Sequence, residues 1–462
     1  MLFRSYSIDR DARVAVFALS GQPYAVNLDG PSAPRLLDAP GPVIDPRVDP
    51  TGTKVAYVCD RGLFVVPLVG GHAAAMCRPE HDDDAWGLAD FIAAEELDRT
   101  RGYWWLSDGS GLLVEHYDET PVSTWWIADP AQPGSAPREH RYPAAGTANA
   151  EVSLWLVRLD EDGDVVRDEV AWDHADYPYL ATVSVPGHGD PVISVLSRDQ
   201  RRQRVIGVDP VTAQTTVLAE HRDPDWIDVI PGVPSVSPSG ALIEIVADRD
   251  TDTYRLTSDS KMLTPPGLQV SAVLDIAESD ILVLASDDPT TDRLMTIGYD
   301  GTAKTLPVEG MMSARRRGDV TVISATDLDR TSTRTTVWRG DQPVRDVTSL
   351  AESPLISPRV ELMLTGPRDL RTAVLFPTGH ERGFRRLPVI MSPYGGPHAR
   401  LVVRAGLTFG TDQWLADQGY CVVVADGRAR QVFVGMIGLH RRLLHQPARD
   451  ADRIGEIGRA HV

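Results

Sequence analysis

Cysteine is scarce in this sequence. Only Cys59, Cys77 and Cys421 occur among 462 residues, and no two of them form a C-x-x-C pair. Three scattered cysteines are too few for the disulfide framework of a small secreted domain, and they lack the spacing of a structural zinc site. We expect three free and mostly buried thiols, no metal and no other cofactor.

Long apolar runs are also missing. No stretch approaches the 18 or so apolar residues that a membrane span requires. The start, MLFRSYSIDRDARVAVFALS, lacks the charged, apolar and small-residue regions of a secretion signal. With 42% hydrophobic and 24% charged residues, the composition is that of a soluble globular protein. We expect a cytoplasmic protein without a membrane partner.

Positive charge is in deficit. The chain has 46 lysines and arginines against 65 aspartates and glutamates, which gives a formal net charge of −19. Such a surface repels phosphate backbones, so the composition argues against nucleic acid as a partner and favours cationic ligands.

Turn residues punctuate the chain at short intervals between about residues 12 and 348. Short apolar runs alternate with turns rich in Asp, Gly, Pro and Ser, as in DPTGTKVAYVCDRGLFVVPLVGG at 49–71. This pattern is typical of strands and hairpins. It repeats roughly every 40 to 50 residues, the spacing of propeller blades. We predict a mainly β fold with a multi-bladed β-propeller over residues 1–350, and stacked β-sandwiches are the alternative. The tryptophan pairs Trp104-Trp105 and Trp125-Trp126 are expected to fill blade cores.

The pattern changes after about residue 350. Apolar strands are predicted at 371–377 and 387–394, a short helix at 411–419 and a buried strand at 420–426. A strand, a helix and a second buried strand favour a parallel sheet with crossover helices. Residues 351–428 are therefore predicted to open an α/β domain.

One segment of the β region has a helical composition. Residues 82–105 read DDDAWGLADFIAAEELDRTRGYWW, and 89–97 are mostly good helix formers, so a short helix near 86–99 is predicted to interrupt a blade. Glu95 and Glu96 are adjacent on it. Two carboxylates at a helix end or rim can hold one ammonium group through charge-assisted hydrogen bonds, whereas an isolated pair of this kind is usually a solvated helix face.

The surrounding motifs are specific. The segment GLADFIAAEELDRTRGYWWLSDG, followed by DETPV and YPAAGTANAEVSLWLV, resembles the dipeptidyl peptidase IV family of serine peptidases in the prolyl oligopeptidase clan. The resemblance covers roughly residues 40–428. It implies a propeller of seven to eight blades followed by an α/β-hydrolase domain. Paired glutamates on a short propeller helix bind the substrate's free α-amino group in that family, and Glu95 and Glu96 occupy the matching positions.

Tyr394, in SPYGGPH at the end of a predicted strand, is the second candidate site residue. The resemblance implies that its hydroxyl contributes to the oxyanion hole, where a donor aimed at the developing alkoxide is worth about 3 kcal/mol. The alternative is a turn tyrosine packed on the strand end.

The nucleophile motif of such an enzyme is missing. A hydrolase of this type needs a serine in a G-x-S-x-G turn, with Asp and His later in the chain, and no G-x-S-x-G occurs. Residues 429–462 are rich in Arg and His, unlike the acidic body, and the final EIGRAHV matches a translated sequencing adapter. We expect a C-terminally truncated fragment with a non-native tail at 429–462, inactive by itself.

The resemblance implies a serine exopeptidase that releases dipeptides from peptide N-termini, with the propeller holding the substrate's amino terminus. The expected partner is a peptide with a free N-terminus, together with a second copy of the chain when the protein is full length. The alternative is a non-catalytic propeller that binds peptides or proteins.

Overall fold

The computed structural model describes residues 6–160, 162–367, 369–383, 385–394 and 399–426, with only the backbone described at Tyr394. The predicted tail at 429–462 lies outside these residues. The chain divides into two compact units, the first ending at Arg222 and the second starting at Asp223. This division falls inside the predicted propeller region, and the predicted domain boundary near residue 350 stays a prediction. Among the described residues, no helix has the length and apolar character needed to cross a membrane.

The first unit consists of antiparallel sheets in which strands adjacent in sequence are mostly neighbours in the sheet. Four sheets have the orders β1-β2-β3-β4, β5-β6-β7-β8, β10-β11-β14-β15 and β16-β17-β18-β19, while β12 and β13 form a separate pair. The elements are β1 (Tyr6–Ile8), β2 (Val14–Leu19), β3 (Gln22–Asn27), β4 (Arg35–Leu36), β5 (Ile44–Val48), β6 (Lys54–Cys59), β7 (Gly62–Pro67), β8 (Ala74–Cys77), β9 (Asp84–Trp86), α1 (Phe91–Glu96), β10 (Tyr103–Trp105), β11 (Gly111–Asp118), β12 (Thr124–Ile127), β13 (Arg138–Arg141), β14 (Glu151–Leu159), β15 (Val165–Glu169), β16 (Tyr179–Ser184), β17 (Val192–Leu196), β18 (Arg202–Val208) and β19 (Thr215–Arg222).

Two-residue turns set the register of the hairpins. Leu19 pairs with Gln22 across the turn Ser20-Gly21, where φ is 50° and 75°. Positive φ at both central residues gives a turn whose twist matches that of the flanking strands. The short polar turns of the sequence therefore position the apolar runs for side-by-side pairing.

The sheet β10-β11-β14-β15 departs from the regular four-stranded pattern at two places. Strand β9 pairs with β11, and helix α1 lies in the connection from β9 to β10. In sequence, the hairpin β12–β13 lies between β11 and β14. Strands β11 and β14 pair directly with each other, from Gly111 opposite Arg158 to Asp118 opposite Glu151. The predicted helical segment 82–105 contains α1.

The second unit begins with three more four-stranded antiparallel sheets, β20 to β23, β24 to β27 and β28 to β31, and ends with a sheet of order β32-β33-β35-β34. The elements are β20 (Ser235–Val236), β21 (Leu242–Asp248), β22 (Thr253–Ser258), β23 (Lys261–Met262), β24 (Gln269–Ile276), β25 (Asp280–Ser286), β26 (Arg293–Gly298), β27 (Ala303–Thr305), β28 (Met311–Arg317), β29 (Val320–Thr326), β30 (Arg334–Arg339), β31 (Gln342–Val347), β32 (Val360–Thr365), β33 (Leu370–Leu375), β34 (Val389–Tyr394), α2 (Gly410–Asp417) and β35 (Cys421–Asp426), with a 3-10 turn at Gly406–Phe409.

The last sheet has the parallel pair that the sequence predicts. Strands β34 and β35 are parallel, with Val389 opposite Cys421 and Tyr394 opposite Asp426, and α2 lies in the crossover between them. Gly419 has a φ of 101° just beyond α2, a conformation that glycine adopts without strain, so it ends the helix. The apolar strand β35 is mostly buried, as expected for a strand covered on both faces.

The three cysteines are free and buried, as their spacing predicts. Burial raises the pKa of the Cys77 thiol to about 12. A thiol in such surroundings stays protonated and unreactive at neutral pH.

Candidate functional site

Helix α1 begins at a side-chain cap. The Asp90 carboxylate accepts hydrogen bonds from the backbone N–H groups of Ile92 (3.0 Å) and Ala93 (3.2 Å). This satisfies two donors that have no partner within the helix. Ala93 and Leu97 are buried, at 1% and 7% exposure, and α1 contacts strand β16.

Glu95 and Glu96 are the last two residues of α1, and both are exposed. Neither carboxylate forms an ion pair or a hydrogen bond with any other residue in the described ranges. They also lie at the helix end where partly unsatisfied carbonyl groups favour a positive charge. The arrangement can therefore accept an external cation without first breaking an internal ion pair.

Tyr394 is the last residue of β34, and its side chain lies outside the described residues. The glutamates belong to the first unit and Tyr394 to the second. Their participation in one site, and the role of Tyr394 in an oxyanion hole, stay predictions.

The structure adds a buried ionic cluster that the sequence interpretation missed. The guanidinium of Arg99, with its side chain 8% exposed, forms ion pairs with Glu115 and with Asp90, the latter at 3.4 Å between Nη2 and Oδ2. It also donates to the Leu180 carbonyl oxygen from Nε (3.2 Å) and Nη2 (3.0 Å), and to the Arg101 carbonyl oxygen from Nη1 (2.8 Å). Arg99 thus links the region of α1 to strands β11 and β16.

Glu115 is the anionic member of this cluster, and its side chain is completely buried. Its Oε1 accepts the backbone N–H of Asp90 at 2.9 Å. Burial raises the pKa of the Glu115 carboxyl to about 7, Arg99 acts to lower it, and Asp90 adds to the rise. One signal was available in the sequence: a glutamate inside the apolar run of β11 is a buried charge that requires a partner.

Glu115 is expected to make the stability of the protein depend on pH. The folded protein binds this proton more tightly than the unfolded chain, where the pKa is near the ordinary 4.5. Its contribution to stability is therefore fully present below about pH 4.5 and is lost as the pH rises through about 7. From pH 4.5 to 8, the free energy of unfolding of the wild-type protein should fall by about 3 kcal/mol relative to that of Glu115→Gln.

Urea unfolding of both proteins across this pH range measures the difference. Glu278→Gln, which removes an exposed carboxylate, is the control and should follow the wild-type curve. Parallel pH curves for the wild type and Glu115→Gln would contradict a raised pKa at Glu115.

An aromatic contact joins α1 to the hairpin β12–β13. Phe91 meets Tyr142 edge to face, with ring centroids 5.4 Å apart, and Tyr142 meets Trp125 in the same way at 5.1 Å. The prediction that Trp125 and Trp126 fill a blade core is wrong, since they are 51% and 64% exposed. They lie on a two-stranded sheet that has no further strand beside it among the described residues, whereas Trp104 in the larger sheet is buried.

Comparison with known proteins gives consistent matches. A family model described as "Dipeptidyl peptidase IV (DPP IV) N-terminal region" matches residues 16–280. A probable dipeptidyl peptidase 4 of Aspergillus flavus is 23% identical over 431 residues, covering 81% of this chain and 53% of the relative. Dipeptidyl peptidase 8 of Homo sapiens is 24% identical over 289 residues, covering 54% of this chain and 31% of the relative. The chain spans about half the length of the fungal relatives it matches.

A solved structure, dipeptidyl peptidase 4 of Porphyromonas gingivalis, is similar in fold. The TM-score is 0.73 at 17% sequence identity, and the match covers 92% of this chain and 64% of the solved one. At this identity the likeness concerns the fold alone. Together with the four-stranded antiparallel sheets, it confirms the predicted fold class.

Proposed function

Since the chain belongs to the dipeptidyl peptidase IV family through the N-terminal region matched at residues 16–280, we propose that Glu95 and Glu96 bind the free amino terminus of a peptide substrate. The whole protein would then be a serine exopeptidase that removes dipeptides from peptide N-termini. The relatives named above as dipeptidyl peptidases support this proposal.

One observation carries the proposal. Two adjacent exposed carboxylates, without partners among the described residues, end a short helix that is capped at its start by Asp90. A peptide's terminal ammonium has three hydrogen-bond donors and a positive charge. Two neighbouring carboxylates can accept hydrogen bonds from these donors and attract the charge. The negative end of the helix acts in the same direction.

Binding of the substrate's amino group would determine which peptide bond is cleaved. Holding the substrate by a group that does not react places a peptide bond at a fixed distance from the anchor, so binding energy is used for orientation. The sequence has no G-x-S-x-G motif, and we place the serine nucleophile outside these 462 residues. Tyr394 would stabilise the oxyanion of the tetrahedral intermediate.

The missing motif also favours a second candidate, a propeller that binds peptides without cleaving them. A fluorogenic dipeptide substrate separates the two functions in any longer version of the protein. Cleavage that a serine-directed phosphonate blocks would support the peptidase, and its absence would support the binding module.

Binding of a free-amine peptide to this chain tests the amine site directly. Titration calorimetry with Ala-Pro amide and with its N-acetyl derivative should show at least tenfold tighter binding of the free amine, because acetylation removes the charge. Glu95→Gln and Glu96→Gln should each reduce this preference, whereas Glu278→Gln, at an exposed site in the other unit, should leave it unchanged. Equal affinities of the wild-type chain for both peptides would exclude the proposed site.

A further inference from the structure

We infer that Arg99 and Glu115 are positioning residues of the amine site, which hold α1 so that Glu95 and Glu96 present their carboxylates together. The inference rests on the proposed function of the two glutamates. Neither Arg99 nor Glu115 touches the substrate in this arrangement, because both side chains are buried.

A helix as short as α1 needs external support. Six residues make fewer than two turns, and so short a helix is unstable without tertiary contacts. The contacts that hold α1 therefore determine where its last two residues lie.

Arg99 and Glu115 supply such contacts at both ends of the helix. At the start, Glu115 accepts the backbone N–H of the capping residue Asp90 (2.9 Å), and Arg99 pairs with the carboxylate of Asp90. Beyond the end, the backbone N–H of Arg99 donates to the Ala93 carbonyl oxygen at 2.9 Å. One ion pair thus fixes the start of α1 and the segment that leaves it, and Glu95 and Glu96 lie between these points.

Glu115 and the Leu180 carbonyl group that Arg99 contacts both lie in β-strands. Glu115 lies in the middle of β11, which pairs with β14 on one side and with β10 and β9 on the other. The two hydrogen bonds from Arg99 to the Leu180 carbonyl oxygen reach β16, in the next sheet of the same unit. A planar guanidinium can serve these separate acceptors at once, which a lysine ammonium cannot do with the same geometry.

The test removes both Arg99 and Glu115, since deleting Arg99 alone would leave the fully buried Glu115 carboxylate without its cation. Arg99→Met/Glu115→Leu replaces both members with apolar side chains, a change that proteins often tolerate. We expect the double variant to keep a cooperative melting transition, to lose at least tenfold in affinity for Ala-Pro amide, and to bind N-acetyl-Ala-Pro amide as the wild type does. Hydrogen exchange of the α1 amides should become faster.

Two further variants provide the controls. Arg255→Met/Asp248→Leu removes a partly buried pair in the second unit, where Arg255 also donates to a carbonyl oxygen (Thr264, 2.9 Å), and it should leave peptide affinity unchanged. Arg99→Lys keeps the charge without the planar fork, and its affinity should fall between those of the wild type and the double variant.

Glu95→Gln, measured in parallel, separates the inference from the function on which it rests. If Glu95→Gln weakens binding of the free amine while Arg99→Met/Glu115→Leu does not, the amine site stands and the positioning role is wrong. If the wild type itself fails to distinguish the free from the acetylated peptide, the proposed function and this inference are both wrong. Unchanged exchange of the α1 amides in the double variant would also overturn the positioning role.

Discussion

Replacing Glu95 by glutamine is expected to lower kcat/KM for free-amine dipeptide substrates by two to three orders of magnitude in a version of the protein that includes the catalytic serine. This corresponds to about 3 to 4 kcal/mol of lost transition-state stabilisation. Glutamine keeps the size of the side chain and removes its negative charge. The substrate ammonium would lose a charge-assisted hydrogen bond and, with it, the anchor that places the scissile bond.

The comparison between substrates makes this prediction specific. Hydrolysis of an N-acetylated substrate, if detectable, should be equally slow in Glu95→Gln and in its parent, because no ammonium is present. Glu96→Gln should show a loss in the same direction, and Glu278→Gln none. Indistinguishable steady-state kinetics of Glu95→Gln and its parent on the free-amine substrate would remove the amine anchor from the mechanism.

The regular parts of the fold could be predicted from the sequence because they depend on local patterns. The apolar alternation around turns such as Ser20-Gly21 specifies hairpins over a few residues, and the helix formers at 89–97 contain α1. The prediction of Glu95 and Glu96 as site residues rests on their motif, and their exposure follows from their place at the end of a helix that is buried on its other side.

The parts that the sequence did not reveal depend on contacts between distant residues. Arg99 and Glu115 are 16 positions apart, and Arg99 and Leu180 are 81 apart, so no local pattern pairs them. Trp125 and Trp126 show the opposite error. An aromatic pair in a strand looks like core, but whether another sheet covers it is decided by the tertiary structure, and here none of the described sheets does.

The buried pair that supports α1 leads to the second large effect. Arg99→Met alone is expected to lower the free energy of unfolding by about 4 kcal/mol at neutral pH, because it leaves Glu115 buried without its cation. Protonation of Glu115 relieves part of this cost, since burial already raises its pKa to about 7. The defect should therefore be smaller at pH 5 than at pH 8, as urea unfolding at the two values would show.

The double variant Arg99→Met/Glu115→Leu should recover much of this stability, because the fully buried Glu115 carboxylate is removed, apolar side chains fill the space, and the Asp90 carboxylate keeps its hydrogen bonds from the backbone N–H groups of Ile92 and Ala93. Stability and peptide binding would then separate: the single variant loses both, and the double variant regains only stability. This separation is expected if the ion pair holds the geometry of α1. If the pair contributed to stability alone, the double variant would bind the peptide with wild-type affinity. A double variant as unstable as Arg99→Met would instead show that the hydrogen bonds to Leu180 and Asp90, and not the balance of charge, hold this region together.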